Sequence, residues 1–292
     1  MSFLSLTNDV ADYVAKFGTS GAPVSAAVPR LTLLHHNRQT SIEATLYNPA
    51  ICLILQGEKE TVMGKHHVRF GAGQSLIVSH DVPVVSAITK APYLAMILSL
   101  DLALLRSLYQ QVADDLVQQT SEKAITPGET DPDLINALQR YLGLSKTLRE
   151  ARVLGPLILR EIHYRLLIAP HGGMLRDLLL RDSHGSSIAR AIERIRQNFR
   201  KTLKIPELAK LAGMSESSFH SHFRKITGTT PLQYQKELRL LEARRMLGRG
   251  RDPVTNIAFS VGYESPTQFS REYSRKFGVP PRQDVGRVAA TI

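Results

Sequence analysis

Residues 254–278 read VTNIAFSVGYESPTQFSREYSRKFG, and their spacing decides how the carboxy-terminal part of the chain folds. Val254, Ile257, Ala258 and Val261 recur on one helical face, Gly262 interrupts it, and Phe269, Tyr273 and Phe277 recur every four residues beyond the break. Between them, Ser265-Pro266-Thr267-Gln268 supplies a hydroxyl cap, proline at the first helical position and glutamine three residues after the cap, which together mark a helix start. Working outward, residues 205–228, IPELAKLAGMSESSFHSHFRKITG, repeat the arrangement. Ile205, Leu208, Ala209 and Ala212 form the face, Gly213 breaks it, and Phe219, Phe223 and Ile226 follow a start at Ser215. The two glycines lie 49 residues apart. The pattern predicts helix, tight turn, helix, twice over, at about 205–227 and 254–277.

Thr230-Pro231-Leu232-Gln233 opens another helix, with Leu240, Ala243 and Leu247 on one stripe, and Asp252-Pro253 reads as a further capped start. A helix of ~18 residues at ~1.5 Å per residue is a rod of ~27 Å, of the order of the ~34 Å turn of a DNA duplex. The charge is equally one-sided. Residues 1–182 carry 17 Lys+Arg against 17 Asp+Glu, whereas residues 183–292 carry 20 against 9, so the formal +11 of the 292-residue chain sits entirely in its last 110 residues. A basic module joined to a neutral one points to a polyanionic partner, nucleic acid or an anionic membrane face, rather than to an evenly charged metabolic enzyme.

These residues resemble the AraC/XylS family of bacterial transcription regulators. The resemblance covers roughly 188–287 and rests on Ile257-Ala258, Gly262-Tyr263, Phe269, Tyr273, Phe277-Gly278 and Pro281 in their spacing. Fainter likeness to the cupin-like effector domain of one branch of the family runs through Tyr47–Gly57 and Glu161–Leu167. The resemblance implies a seven-helix domain with two helix-turn-helix units. With Phe219 and Phe223 turned inward, Ser217, His220, Ser221 and Arg224 face outward on the first reading helix; on the second, Thr267, Gln268, Ser270 and Arg271 do. The family's base contacts fall at positions matching Ser217, His220, Ser221, Thr267 and Arg271, and Arg271 is the foremost of these because a guanidinium takes guanine O6 and N7 bidentately. Pro266 replaces a side chain that is polar in many relatives. Arg224, Lys225, Arg275 and Lys276 are expected at phosphates, adding affinity and salt dependence without sequence choice. Gln268 has a competing capping role.

Residues 30–100 change texture to short β-rich runs broken by Gly57, Gly64, Gly71 and Gly73, which predicts an antiparallel sandwich or small barrel. From about 101 to 180 the period becomes helical, with Leu134, Leu138 and Leu142 and then Leu154, Ile158, Ile162 and Leu166. Arg181–Ser187, short and polar, reads as the linker. The expected class is therefore α+β: a cupin-like antiparallel β-barrel at 1–100, a helical dimerisation segment at 101–182 and an all-α DNA-binding domain at 183–292. His35-His36 and His66-His67 point to opposite faces of a strand and cannot jointly ligate, so no metal or other cofactor is expected. Ser79-His80-Asp81 are mere neighbours, and a catalytic triad is a matter of geometry. The single cysteine, Cys52, lies in an apolar run; it reads as a small buried hydrophobe or, more sharply, as a cavity residue able to meet an electrophilic effector such as an aldehyde. One cysteine fits a reducing compartment, and neither a leader-like start nor a run of ~18 apolar residues is present, so a cytoplasmic protein without membrane contact is expected.

The reading that joins these features is a non-enzymatic regulator of transcription: a homodimer on double-stranded DNA, governed by a small-molecule effector in the barrel, with RNA polymerase as a further partner. A cupin-type enzyme carrying a DNA-binding appendage and a constitutive regulator with an unresponsive barrel are the alternatives.

Overall fold

The computed structural model describes residues 2–112, 123–250 and 252–285. Helix α1 (Phe3–Phe17) precedes eight strands, β1 (Val24–Ser25), β2 (Leu31–His36), β3 (Glu43–Tyr47), β4 (Ala50–Met63), β5 (His66–Gly71), β6 (Gln74–Val78), β7 (Val82–Ser99) and, after α2 (Leu102–Val112), β8 (Ile125–Glu129). Helices α3 (Pro132–Gly143), α4 (Leu148–Ile168) and α5 (Gly173–Leu179) follow. The remaining seven are α6 (His184–Gln197), α7 (Ile205–Ala212), α8 (Glu216–Thr227), α9 (Pro231–Gly248), α10 (Val254–Ser260), α11 (Pro266–Phe277) and α12 (Pro281–Asp284). Every strand pairing is antiparallel, in the order β1-β2-β7-β4-β6-β8, with β3 added to β7 and β5 to β4.

The long strands β4 and β7 run the length of the sheet, and their register shifts between Ile54 and Lys59. Bulges of this kind bend a strand and let one sheet curl over itself. The run from Ile51 to Leu55 is continuously apolar because both faces of β4 are covered. Ile51, Leu53 and Leu55 face a core shared with α1, α3 and α4, whereas Cys52 and Ile54 face the barrel interior.

Three expectations change. The segment 101–182 is not wholly helical, because Ile125–Glu129 returns to pair with β6 and closes the sheet. Its Pro127 and Gly128 hide it from strand propensity, and an edge strand tolerates both. The linker is shorter than Arg181–Ser187: Ser183 caps α6 by accepting from the Ser186 N–H, and His184–Ser187 is already helix. Third, the apolar stripe of the segment assigned to dimerisation divides: Ile158, Ile162 and Leu166 are buried against the barrel-side core, while Leu154 is exposed.

The interior core of the barrel continues into the first helix-turn-helix unit: Ile54, Leu76 and Val84 belong to one cluster with Ile188, Ile192, Phe219, Phe223 and Tyr234. The second unit has its own core of Leu240, Leu247, Ile257, Val261, Phe269 and Tyr273. The 18-residue helix α9 joins them, contributing Tyr234 to one core and Leu247 to the other.

Candidate nucleic-acid interface and effector cavity

The two reading helices are built alike. Ser215 Oγ accepts from the Ser218 N–H ahead of α8, and Ser265 Oγ accepts from the Gln268 N–H ahead of α11, both at 3.3 Å. Each ends on a glycine in the left-handed region, Gly228 and Gly278, both at φ 75°. Phe219, Phe223, Phe269 and Tyr273 are fully buried and set each helix against its unit. Helix α10 departs from the expected cap: it begins after Pro253, and Asp252 makes no side-chain capping bond.

The predicted reading residues divide by what already occupies them. Ser217, Ser221, Arg224, Thr267, Arg271 and Arg275 are exposed, and His220 is half-buried. Arg224, Arg271 and Arg275 have no carboxylate within ion-pair distance among the described residues. Lys225 is exposed too. Ser270 is half-buried and donates its hydroxyl to the Pro266 carbonyl at 2.9 Å. Gln268 does not close a capping box; its amide donates to Glu272 at 3.3 Å. Lys276 is held by Glu237 at 2.8 Å, with 17% of its side chain exposed.

Sequence reasoning missed the residues that hold the frame. Arg239 on α9 donates to the carbonyls of Phe199, Arg200, Lys201 and Gly262, bridging the two units. Glu272 receives Lys236 at 2.9 Å and the Tyr263 hydroxyl at 2.8 Å; burial works to raise its carboxyl, and these donors with Gln268 bring it below the ordinary glutamate range. Asp284 accepts from Tyr273 at 2.6 Å and from Arg244 at 3.0 Å. These pairs join distant segments, so no local pattern announces them.

Ser79, His80 and Asp81 make no catalytic set. They form the seam between barrel and reading domain: His80 Nε2 donates to the Gly185 carbonyl at 3.0 Å, Asp81 pairs with Arg196 at 2.6 Å, and the Tyr234 hydroxyl donates to the Asp81 carbonyl at 2.9 Å. Burial keeps His80 below the usual imidazole range, hence neutral. A second seam lies at the β4–β5 turn, where Gly64 (φ 60°) packs so closely on Gly228 that a Cβ would run into the Gly228 carbonyl.

Within the barrel is a cavity of about 360 Å³ whose wall includes His36, Glu43, Tyr47, Cys52, Lys59 and Ile97. The Lys59 ammonium lies 5.3 Å from the centre of the Tyr47 ring, and no carboxylate comes within ion-pair distance of it among the described residues. Burial pushes the Cys52 thiol up, which keeps it protonated at neutral pH. Among the described residues, no three His, Cys, Asp or Glu side chains gather as a metal set, and no helix is long and apolar enough to cross a membrane.

Paired helix-turn-helix units on one rod, behind a small antiparallel barrel, define a class of DNA-binding regulators. The model of the AraC-type transcriptional regulator N-terminus matches residues 27–174, half of the chain, and that of a helix-turn-helix domain matches residues 208–286; the chain belongs to the AraC family of transcriptional regulators. It is 43% identical over 84 residues to the RCS-specific HTH-type transcriptional activator RclR of Escherichia coli (strain K12), covering 29% of this chain and 30% of that protein. It is 34% identical over 89 residues to the HTH-type transcriptional activator RhaS of Escherichia fergusonii, covering 30% and 32%. The matches thus span about a third of those curated relatives. Unsaturated fatty acid bound wild-type ToxT from Vibrio cholerae strain SCE256 shares the fold at a TM-score of 0.55 and 10% identity, over 87% of this chain and 94% of that one.

Proposed function

We propose that the protein is a sequence-specific DNA-binding regulator of transcription whose grip on DNA is set by a small molecule in the barrel. The observation that carries the reading is the pairing of α8 and α11, capped alike, each exposing arginine beside short polar side chains, on a frame held by Arg239. Arg271 reads a guanine edge, with Ser217, His220, Ser221 and Thr267 at neighbouring bases, and Arg224, Lys225 and Arg275 take phosphates. Gln268 and Ser270 adjoin the bases only by giving up their present intrahelical bonds.

Strand β4 supports the allosteric part. It carries Cys52 and Lys59 at the cavity and ends at Met63, next to the Gly64 contact with Gly228 at the end of α8. A ligand that favours one arrangement of the barrel wall thereby favours one placement of α8. Lys59 suits an effector with an anionic head, and ToxT, of like fold, is named as a fatty-acid-bound protein. Self-association falls to the outward face of α4, where Val153, Leu157, Tyr164 and Ile168 are exposed, and RNA polymerase is a further partner when the dimer sits at a promoter. The chemistry needs no catalysis. Binding of the full chain to random duplexes as salt rises, followed by selection of bound sites, tests the reading: several phosphate contacts require a steep loss of affinity, and indifference to both salt and sequence would refute it.

A further inference from the structure

The four exposed apolar side chains on the outward face of α4, Val153, Leu157, Tyr164 and Ile168, are placed symmetrically along the helix. Val153 and Ile168 stand equally far from the point between Arg160 and Glu161, and so do Leu157 and Tyr164. At 3.6 residues per turn all four fall within about 60° of arc, away from the buried Ile158 and Ile162. Leu154, exposed as well, lies at the margin of that arc. A stripe that maps onto itself end for end is what a two-fold axis across a helix requires, because the same patch must serve both copies. In an antiparallel pair about that axis, Val153 meets Ile168 of the second copy, and Leu157 meets Tyr164 of the second copy.

Charge selects this orientation over the parallel one. Arg160 donates to the Gln111 amide oxygen at 2.7 Å and has no carboxylate within ion-pair distance among the described residues, while Glu161 accepts from Arg140 and Arg165. At the axis an antiparallel pair sets Arg160 against Glu161 of the second copy. A parallel pair sets Arg160 against Arg160 and Glu161 against Glu161, and like charges brought together across an interface are costly. We propose that a second copy of this chain covers α4 in antiparallel orientation, about a two-fold axis between Arg160 and Glu161, and that the operator is accordingly an inverted repeat. This gives the self-association named above its geometry, and rests on it. The operator follows from the seams: the barrel shares one core with the first reading unit through Ile54, Leu76, Phe223 and Tyr234, and Gly64 is seated on Gly228. The reading units therefore follow the axis of the barrels, and a two-fold protein matches a two-fold site.

The test cross-links the full chain by mild oxidation, using Leu157→Cys and Tyr164→Cys, separately and mixed. Cys52 is buried, so the parent serves as the control without a cross-link. In the antiparallel pair, position 157 of one copy is displaced from position 157 of the other by about 10 Å along the axis, at ~1.5 Å per residue. A disulfide needs Cα atoms within about 7 Å. Neither variant alone should therefore cross-link, whereas the mixture should do so up to the half of the chains that random pairing places in mixed dimers. Val153→Cys mixed with Ile168→Cys repeats the measurement at the ends of the stripe, should either central variant fold poorly. Duplexes selected by the parent should carry the recognised motif twice, in inverted orientation. Like-with-like cross-links in a single variant overturn the pairing, and so does a complete lack of cross-links in a parent-like dimer. Direct repeats among the selected duplexes overturn the operator inference. A parent that sediments as a monomer at micromolar concentration removes self-association itself, and the pairing with it. A parent that binds no duplex removes the regulator reading, an outcome distinct from both.

Discussion

The Arg239 guanidinium donates to the Gly262 carbonyl at 2.8 Å while its Nε donates to the Phe199 carbonyl at 2.7 Å, so one side chain on α9 ties the turn of the second reading unit to the loop that follows α6. The same group reaches the Arg200 and Lys201 carbonyls. Gly262 is bound from the other side too: at φ 93° it favours glycine, and a Cβ there would run into the Arg200 carbonyl. The relative placement of α8 and α11 thus depends on a planar fork with several donors. Arg239→Lys keeps the charge but not the fork. Its stability to urea should fall by about 2 kcal/mol, and duplexes that engage both units should lose more affinity than those that engage one. Parental stability in this variant would show that α9 packing alone sets the spacing.

Lys276 and Arg275 are adjacent in sequence and differ in what they do. Lys276 is paired with Glu237 and mostly buried, whereas Arg275 is exposed. Lys276→Met should lower stability by on the order of 1–3 kcal/mol, since it leaves Glu237 half-buried without its partner, while the salt slope of DNA binding stays as in the parent. Arg275→Ala should do the reverse, flattening the slope by about 1 with little change in melting. Equal effects on the slope would place both at phosphates.

The aromatic spacing and the glycine breaks made both reading units legible in the sequence, because a helix packed on its neighbour repeats its buried positions locally. Across 184–284 the helices of both units and their buried aromatics fall where the spacing puts them, whereas the linker end at His184–Ser187, the Asp252 cap and the Gln268 capping box do not. What escaped is non-local. Strand β8 looks like a loop, because Pro127 and Gly128 are tolerated only through the pairing with β6 that the fold supplies. Ser79-His80-Asp81 invites a catalytic reading that geometry replaces with a domain seam. The four acceptors of Arg239 lie 23 to 40 residues away from it, beyond any periodicity. Lys59 shows its meaning only once bulges in β4 turn it into the cavity, between Glu58 and Glu60, which pair with Arg69 and His67.

Acid should loosen the seam before it unfolds the reading domain. His80 and His163 are both buried and held below the ordinary imidazole range, first by desolvation. His163 accepts the Asp101 N–H on Nε2 at 2.8 Å, a bond that a protonated ring cannot accept. A histidine whose folded pKa lies below its unfolded value of about 6.5 binds fewer protons in the fold, so its stabilisation is present above about pH 6.5 and is lost as pH falls below it. Melting temperature should therefore decline from about pH 6.5 downward, and His80→Gln, which keeps hydrogen-bonding capacity without that titration, should flatten part of the decline. A melting curve level from pH 7 to pH 5 would contradict this.

Cys52 and Lys59 share the cavity but make opposite demands on a ligand, which allows the effector chemistry to be separated by substitution. Reaction with an electrophile requires a thiolate, and burial pushes the Cys52 thiol the other way. Ionic capture requires only the Lys59 ammonium at the Tyr47 face. If capture is what the cavity does, carboxylates should raise the melting temperature of the parent while alcohols of equal length do not. Lys59→Met, which keeps the stem and removes the charge, should abolish that rise, and Cys52→Ala should leave it intact. A rise that instead vanishes in Cys52→Ala and survives in Lys59→Met, together with a mass increase of the parent after exposure to an aldehyde, would transfer the sensing role to the thiol.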